Sequence, residues 1–285
     1  MKKDITPLFC FIDDFTSACE QELKRKALPS SQGKNPTRIP GLTAGEIITI
    51  ILLFHESPCR NFKFFYTSFL PLYRKDFPSL PTYARFVALM PRVGILLAVL
   101  LCTLFSKSTG MSYIDATPIP VCHPKRMSRN KVFKDIAALG KTTKGWFFGL
   151  KLHAIITEKG GLVRVKLTPG NKDDRAVVSQ MTQGLTGWLF GDKGYISKEL
   201  FLTLYRRGLK LVTGIKKSTQ NLPIPLHEKI MLRKRSIIET VFDYLKNKLQ
   251  LEHTRHRSPV NAMIHILSTL VCYQLKPSKP SVSMP

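Results

Sequence analysis

The chain has 285 residues, enough for one large domain or two modest ones with an ample apolar core. Lys and Arg number 44 against 19 Asp and Glu, giving a formal net charge of +25 and a sequence pI of about 10.0. Hydrophobic content of 44% excludes a disordered basic tail, and the charge surplus calls for a polyanion, nucleic acid first and an anionic membrane surface second.

The charge is uneven. Up to Gly110 there are 14 basic and 8 acidic residues (+6), and beyond it 30 and 11 (+19). The longest apolar run, Val93 to Phe105, is 13 residues long, short of the roughly 20 that a spanning helix needs, so a buried core helix and no membrane partner are expected. Asp13 and Asp14 interrupt what would be the apolar region of a signal peptide. The 6 cysteines are scattered, without a C-x-x-C pair, which suits a reducing cytoplasm rather than a disulfide scaffold. Cys122-His123 lacks the second ligand pair that a zinc site requires.

In chain order, residues 1–110 read as a helical region. Ile5 to Lys26 is amphipathic, a polar linker runs from Pro29 to Gly41, and Thr43 with Glu46 forms the pattern of a capping box ahead of the apolar run Ile47 to Phe54. Arg60 to Tyr73 is basic and aromatic, and Pro81 to Leu89 suggests another short helix. These helices could form a helix-turn-helix DNA reader or a helical cap on the rest. From Ser112 the pattern changes to strands at Tyr113–Ala116, Trp146–Thr157 and Leu162–Leu167. A helix over Asp174–Leu185, a strand over Trp188–Asp192, a helix over Lys198–Arg207 and a strand over Leu209–Ile215 follow, then a loop with Pro223 and Pro225 and a helix over Lys234–Leu249. The expectation is an α/β fold, a mixed sheet flanked by helices, compatible in element order with an RNase H-like domain over 111–275. The last segment, 276–285, reads as a disordered tail.

Acids are scarce, so their placement is informative. Asp115 interrupts an apolar strand pattern, Asp192 ends another, and Glu239 lies on a helix whose apolar residues recur at three- and four-residue spacing. A carboxylate near a core must be paired with a cation or bind metal. Salt bridges to Lys or Arg are the plain explanation for each alone. Three together in a strongly basic chain suit phosphodiester cleavage and transfer with two hard divalent cations. Arg235 and Lys246 fall near the same helical stripe as Glu239, as a surface ladder or as cations beside DNA. Asp173 and Asp174 read as helix N-caps, with a supporting role at the metal as the alternative. Asp243 is a substitute for Glu239. His123 and His153 are ordinary core or surface histidines, or phosphate contacts. Trp146, Phe147 and Phe148 are core residues, or stacking platforms for unpaired bases.

With these residues in view, the sequence resembles a DDE transposase of the insertion-sequence type, most like the IS982 family. The carrying segments are Tyr113–Pro118 (YIDATP), Gly145–His153 (GWFFGLKLH), Gly191–Tyr195 (GDKGY), and Arg235-x3-Glu239 with Lys246. A related signature places a tyrosine three residues before the arginine, and this chain has Leu232 there. The resemblance implies a retroviral-integrase-like (RNase H-like) fold and a metal-binding catalytic triad of Asp115, Asp192 and Glu239. It also implies Mg²⁺ or Mn²⁺, two ions in the mechanism, with Arg235, Lys246 and Lys193 as DNA contacts. The implied partners are double-stranded DNA, both element ends and target, and a second copy of the chain in a dimer or larger synaptic assembly. A nuclease that cuts without strand transfer and a non-catalytic DNA-binding protein are the alternatives.

Overall fold

The structure is a computed structural model, and it describes residues 3–26, 41–143, 145–214, 225–252 and 256–282. Most of the linker expected at Pro29–Gly41, Ile215 of the expected strand and Pro223 of the expected loop lie outside these residues.

The chain divides into two compact units, one of residues 1–104 with 258–275 and one of residues 105–257 with 276–285. The first unit is helical. It contains α1 (Thr6–Lys26), α2 (Ala44–Glu56), α3 (Phe62–Phe64), α4 (Tyr83–Leu89), α5 (Gly94–Leu104) and α10 (Pro259–Leu275). The capping box forms as expected: Glu46 N donates to Thr43 Oγ1, and Thr43 N donates to the Glu46 carboxylate. The basic aromatic stretch winds tightly, as a π-helix over Phe65–Phe69 and a 3₁₀-helix over Leu70–Tyr73, and its rings stack into the core. Burial of α5 is one-sided. Leu97, Leu100 and Leu101 are buried, while Ile95 is 79% exposed. Together with α4 and the intervening 3₁₀ turn, Tyr83–Leu104 forms a run of 22 residues with mean hydropathy 2.3 in its most apolar window, long and apolar enough by those measures to cross a membrane. The expected core helix is thus α5, buried on one face and continuous with the preceding turn and α4.

The helix α10 corrects the domain boundaries. It was expected within 111–275, but it packs on α5 and α2. Its apolar residues from Ile264 to Tyr273 supply core to the helical unit, and Ser268 Oγ meets the buried His55 Nε2 at 2.8 Å. The tail is likewise not all disordered: Val282 N donates to the Glu158 carbonyl at 2.8 Å.

The second unit is built on a six-stranded mixed sheet of β1 (Met111–Cys122), β2 (Ala138–Thr142), β3 (Gly145–Thr157), β4 (Leu162–Pro169), β5 (Gly187–Gly191) and β6 (Leu209–Thr213). β1 runs antiparallel to β3 and parallel to β5, and β5 runs parallel to β6. On the far side of β3, β2 pairs with its first residues and β4 with the remainder. The helices α6 (Arg175–Met181) and α7 (Lys198–Tyr205) bury Val177, Val178, Leu200 and Leu204 with Ile114, Leu189 and Leu211 of the sheet. Burying each such side chain contributes about 1.5–3 kcal/mol. Two further helices are α8 (Leu226–Arg233), docked on β5 and β6, and α9 (Ser236–Asp243), docked on β1. On α8, Glu228 is buried but satisfied by Lys210 Nζ at 2.5 Å and Trp188 Nε1 at 3.2 Å. This is the RNase H-like mixed sheet flanked by helices that the element order led one to expect.

Candidate active site

Register brings two of the acids together. In the parallel pair β1/β5, Tyr113 stands opposite Phe190; Asp115 lies two residues further along β1 and Asp192 just beyond the end of β5, close enough for the Asp192 charge to act on Asp115. Neighbouring strands lie roughly 4.8 Å apart, which makes these carboxylates neighbours at one end of the sheet. Gly191 permits the tight exit from β5, because a Cβ there would press against the Tyr195 ring and Ile114. Asp192 then caps a 3₁₀ turn, its Oδ1 accepting from Lys193 N at 2.5 Å.

The third acid arrives on α9. Arg235 sits at its N-terminus and donates to both neighbouring acids, Nη1 to Asp115 Oδ2 at 3.4 Å and Nη2 to Glu239 Oε1 at 3.1 Å. One guanidinium thus bridges a strand carboxylate and a helix carboxylate. Asp115 is half-buried, whereas Asp192 and Glu239 are exposed, so only one of the three acids is near the core. Burial pushes the Asp115 carboxyl up to about 6, opposed by the Ala116 N–H and Arg235 and reinforced by Asp192 and Glu239. Both other acids therefore act on Asp115, and the three form one electrostatic cluster.

Of the other expected DNA contacts, Lys246 is engaged away from the acids and Lys193 lies beside them. The helix expected over Lys234–Leu249 does not continue as one α-helix: Tyr244–Lys248 winds as a π-helix, which breaks the seven-residue stripe. Lys246 accordingly pairs with Glu252 at 2.5 Å rather than lining up with Glu239. Lys193 is exposed beside Asp192, with its aliphatic stem lying over the Gly214 backbone. Asp243 accepts from Asn247 Nδ2 at 2.5 Å.

The side chains behind the acids were not all foreseen. Tyr195 is 2% exposed, and its hydroxyl has no hydrogen-bond partner among the described residues. Burial raises its pKa, and Asp115, Asp174 and Asp192 raise it further. Asp174 does not cap α6; that role falls to Asp173, which accepts from Arg175 N at 2.9 Å. Asp174 turns instead to Lys151 Nζ at 3.0 Å and stands 3.6 Å from the buried His153 Nδ1, too far for a hydrogen bond. Burial pulls His153 down to about 4 despite Asp174, and its Nε2 meets Thr168 Oγ1 at 2.9 Å. The tyrosine of the GDKGY segment was the one available signal for this layer. Phe147 and Phe148 are core residues, while Trp146 is 59% exposed with Lys141 Nζ 5.5 Å from its ring centre.

Three carboxylates are the right donors for a hard divalent cation, and their mutual repulsion at Asp115 is what such an ion would relieve. Among the described residues, however, no three His, Cys, Asp or Glu side chains converge on one ion position. Arg235 supplies the positive charge between two of them.

Among curated proteins, none matches this sequence. The solved structure of a piggyBac transposase synaptic complex with hairpin DNA is similar in fold, with a TM-score of 0.51 and 9% identity over 93% of this chain and 71% of that one. Residues 105–259, more than half of the chain and all three acids, match the family described as transposase DDE domain. The chain belongs to the transposase DDE domain family.

Proposed function

We propose that the protein is a transposase that binds the terminal inverted repeats of its own element, hydrolyses a phosphodiester at each end and joins the freed 3′-hydroxyl to target DNA. The observation that carries this reading is the grouping of the acids: one guanidinium joins Asp115 to Glu239, and the charges of Asp192 and Glu239 both act on Asp115. On this reading Asp115, Asp192 and Glu239 hold the metal, Mg²⁺ or Mn²⁺ and two ions in number. Bound divalent cations would supply charge neutralisation at the scissile phosphate and activation of the attacking hydroxyl.

The chain's own residues prepare that site. Asp115 lies on β1 and Asp192 at the exit of the adjacent β5, and Ala116 N–H and Lys193 N–H each orient one carboxylate oxygen. Arg235 pairs with Asp115 and Glu239, and with those carboxylates holding a divalent cation its guanidinium would be available to a DNA phosphate. Lys193 is exposed at the same edge for a second phosphate, and Lys246 reaches DNA only by exchanging its Glu252 partner. On this reading a dimer or larger assembly would bring two DNA ends together in the cytoplasm, and the motif segments support an element of the IS982 type.

The test is Mg²⁺-dependent cleavage of duplex DNA carrying the element's own ends. Nicked ends and joined products support the reading; nicks without joined products indicate a nuclease. The Arg235 bridge gives some support to a second reading, a DNA-binding protein whose acids are permanently neutralised by arginine. Tight DNA binding with no breakage at any Mg²⁺ or Mn²⁺ concentration would select that one.

A further inference from the structure

A cavity of about 300 Å³ lies in the sheet unit where the segment entering β1 meets the β3–β4 turn and the residues after α10. Three lysines from these three segments line it, Lys107, Lys159 and Lys279, together with the hydroxyl-bearing Ser106, Thr109 and Thr157. It is separate from the acidic cluster. Thr109 precedes Asp115 by six residues of largely extended chain, roughly 20 Å along the strand direction.

The segments that carry these side chains are anchored by hydrogen bonds. Thr157 Oγ1 accepts from Lys159 N at 3.2 Å and from Gly161 N at 3.3 Å, which fixes the turn that carries Lys159. Ser106 N donates to the Leu162 carbonyl at 2.8 Å, anchoring the segment of Lys107 to the start of β4. The hydrogen bond from Val282 N to the Glu158 carbonyl ties down the segment that bears Lys279. Lys279 Nζ donates to the Lys276 carbonyl at 2.8 Å, and burial beside the Lys276 ammonium lowers its pKa.

No carboxylate pairs with Lys107 or Lys159 among the described residues, and the nearby Glu158 is engaged by Thr109 Oγ1 at 2.5 Å. Three lysine residues around one concave surface make it electropositive, which favours an anion there. A volume at the lower limit of ligand pockets, lined by three lysines and three hydroxyl-bearing residues, suits a phosphate better than a large apolar molecule.

We infer that this cavity is a phosphate-binding site, and that its ligand is a backbone phosphodiester of DNA held away from the acidic cluster. The site is independent of the chemistry at Asp115, and binding there does not require cleavage.

The experiment uses the full chain and the triple variant Lys107→Ala/Lys159→Ala/Lys279→Ala. A control of equal charge loss on the same unit is Lys134→Ala/Lys198→Ala/Lys229→Ala. Fluorescence anisotropy with duplex DNA is recorded across a salt series, and thermal unfolding is followed in sodium phosphate against sodium chloride at equal ionic strength. The expected result is an affinity loss of about fivefold or more in the cavity variant. Its log K against log[salt] slope becomes shallower by about 0.9, the value of one phosphate contact, while the control stays close to wild type. Phosphate raises the wild-type melting temperature saturably, and the cavity variant loses that rise.

If phosphate protects the wild type alone while both variants bind DNA equally, the site takes free phosphate and its assignment to DNA is overturned. If both variants lose affinity alike and phosphate protects neither wild type nor variant, the site itself is overturned. Lys159→Glu at the turn tip is the second variant, so that a folding defect in the triple substitution cannot decide the outcome; a wild-type salt slope in it also overturns the DNA assignment.

Discussion

Half-buried Asp115 and buried His153 pull stability of the sheet unit in opposite directions with pH. Asp115 has a folded pKa of about 6 against 3.8 in an ordinary carboxyl, so the folded state binds the proton more tightly. Its contribution is fully present below pH 4 and is lost as pH rises through 6, by up to about 3 kcal/mol. His153 is pulled down to about 4 from 6.5, so the unfolded state binds its proton more tightly, and stability is lost as pH falls through the same window. Metal-free Asp115→Asn should therefore lose stability on acidification more steeply than wild type, and His153→Gln less steeply. Denaturant unfolding between pH 4 and 6.5 checks both slopes. A second residue-scale expectation concerns Tyr195, whose buried hydroxyl lacks a partner among the described residues. Tyr195→Phe should raise metal-free stability by about 1 kcal/mol, since it removes an unsatisfied polar group without opening a large cavity.

At the scale of elements, the close approach of β1 and β5 fixes where Asp115 and Asp192 meet. Gly187 opens β5 with φ of 93°, and a side chain there would collide with the Gly110 carbonyl. Gly184 has φ of 74° but open space around it. Gly187→Ala should cost about 2 kcal/mol or more and slow any reaction at the acids, whereas Gly184→Ala should cost about 1 kcal/mol; thermal melts of the pair separate collision from backbone strain. The elements that carry the acids were legible because a charge interrupts the apolar pattern of β1 and of α9, and one directly ends that of β5. The strand β2 was not, since Ala138–Thr142 (ALGKT) owes its extension to pairing with β3, a non-local cause. The π-turn at Tyr244–Lys248 was equally hidden. A one-residue change in helical repeat leaves no mark on composition, yet it redirects Lys246 to Glu252.

Over the whole molecule, the chain leaves the helical unit at Leu104, builds the sheet, and returns at Ser258 to finish the helical core with α10. Removing 259–275 should expose the buried faces of α2 and α5 and abolish cooperative unfolding of the helical unit, as followed by circular dichroism and limited proteolysis. That return was illegible because an apolar helix near the C-terminus carries no label for the unit it joins. The distribution of charge was legible from the start: most of the surplus falls after Gly110, in the unit that holds the acids.

The central claim is that Asp115, Asp192 and Glu239 act together as one metal centre for DNA cleavage. It is tested most directly by the single-turnover rate of strand cleavage at element ends in Mg²⁺, compared between wild type, Asp192→Ala and Glu239→Gln. Each substitution is expected to lower the rate by about a thousandfold or more while leaving DNA affinity nearly unchanged, because groups that act as a unit fail together. Cleavage at the wild-type rate by either variant would contradict the account.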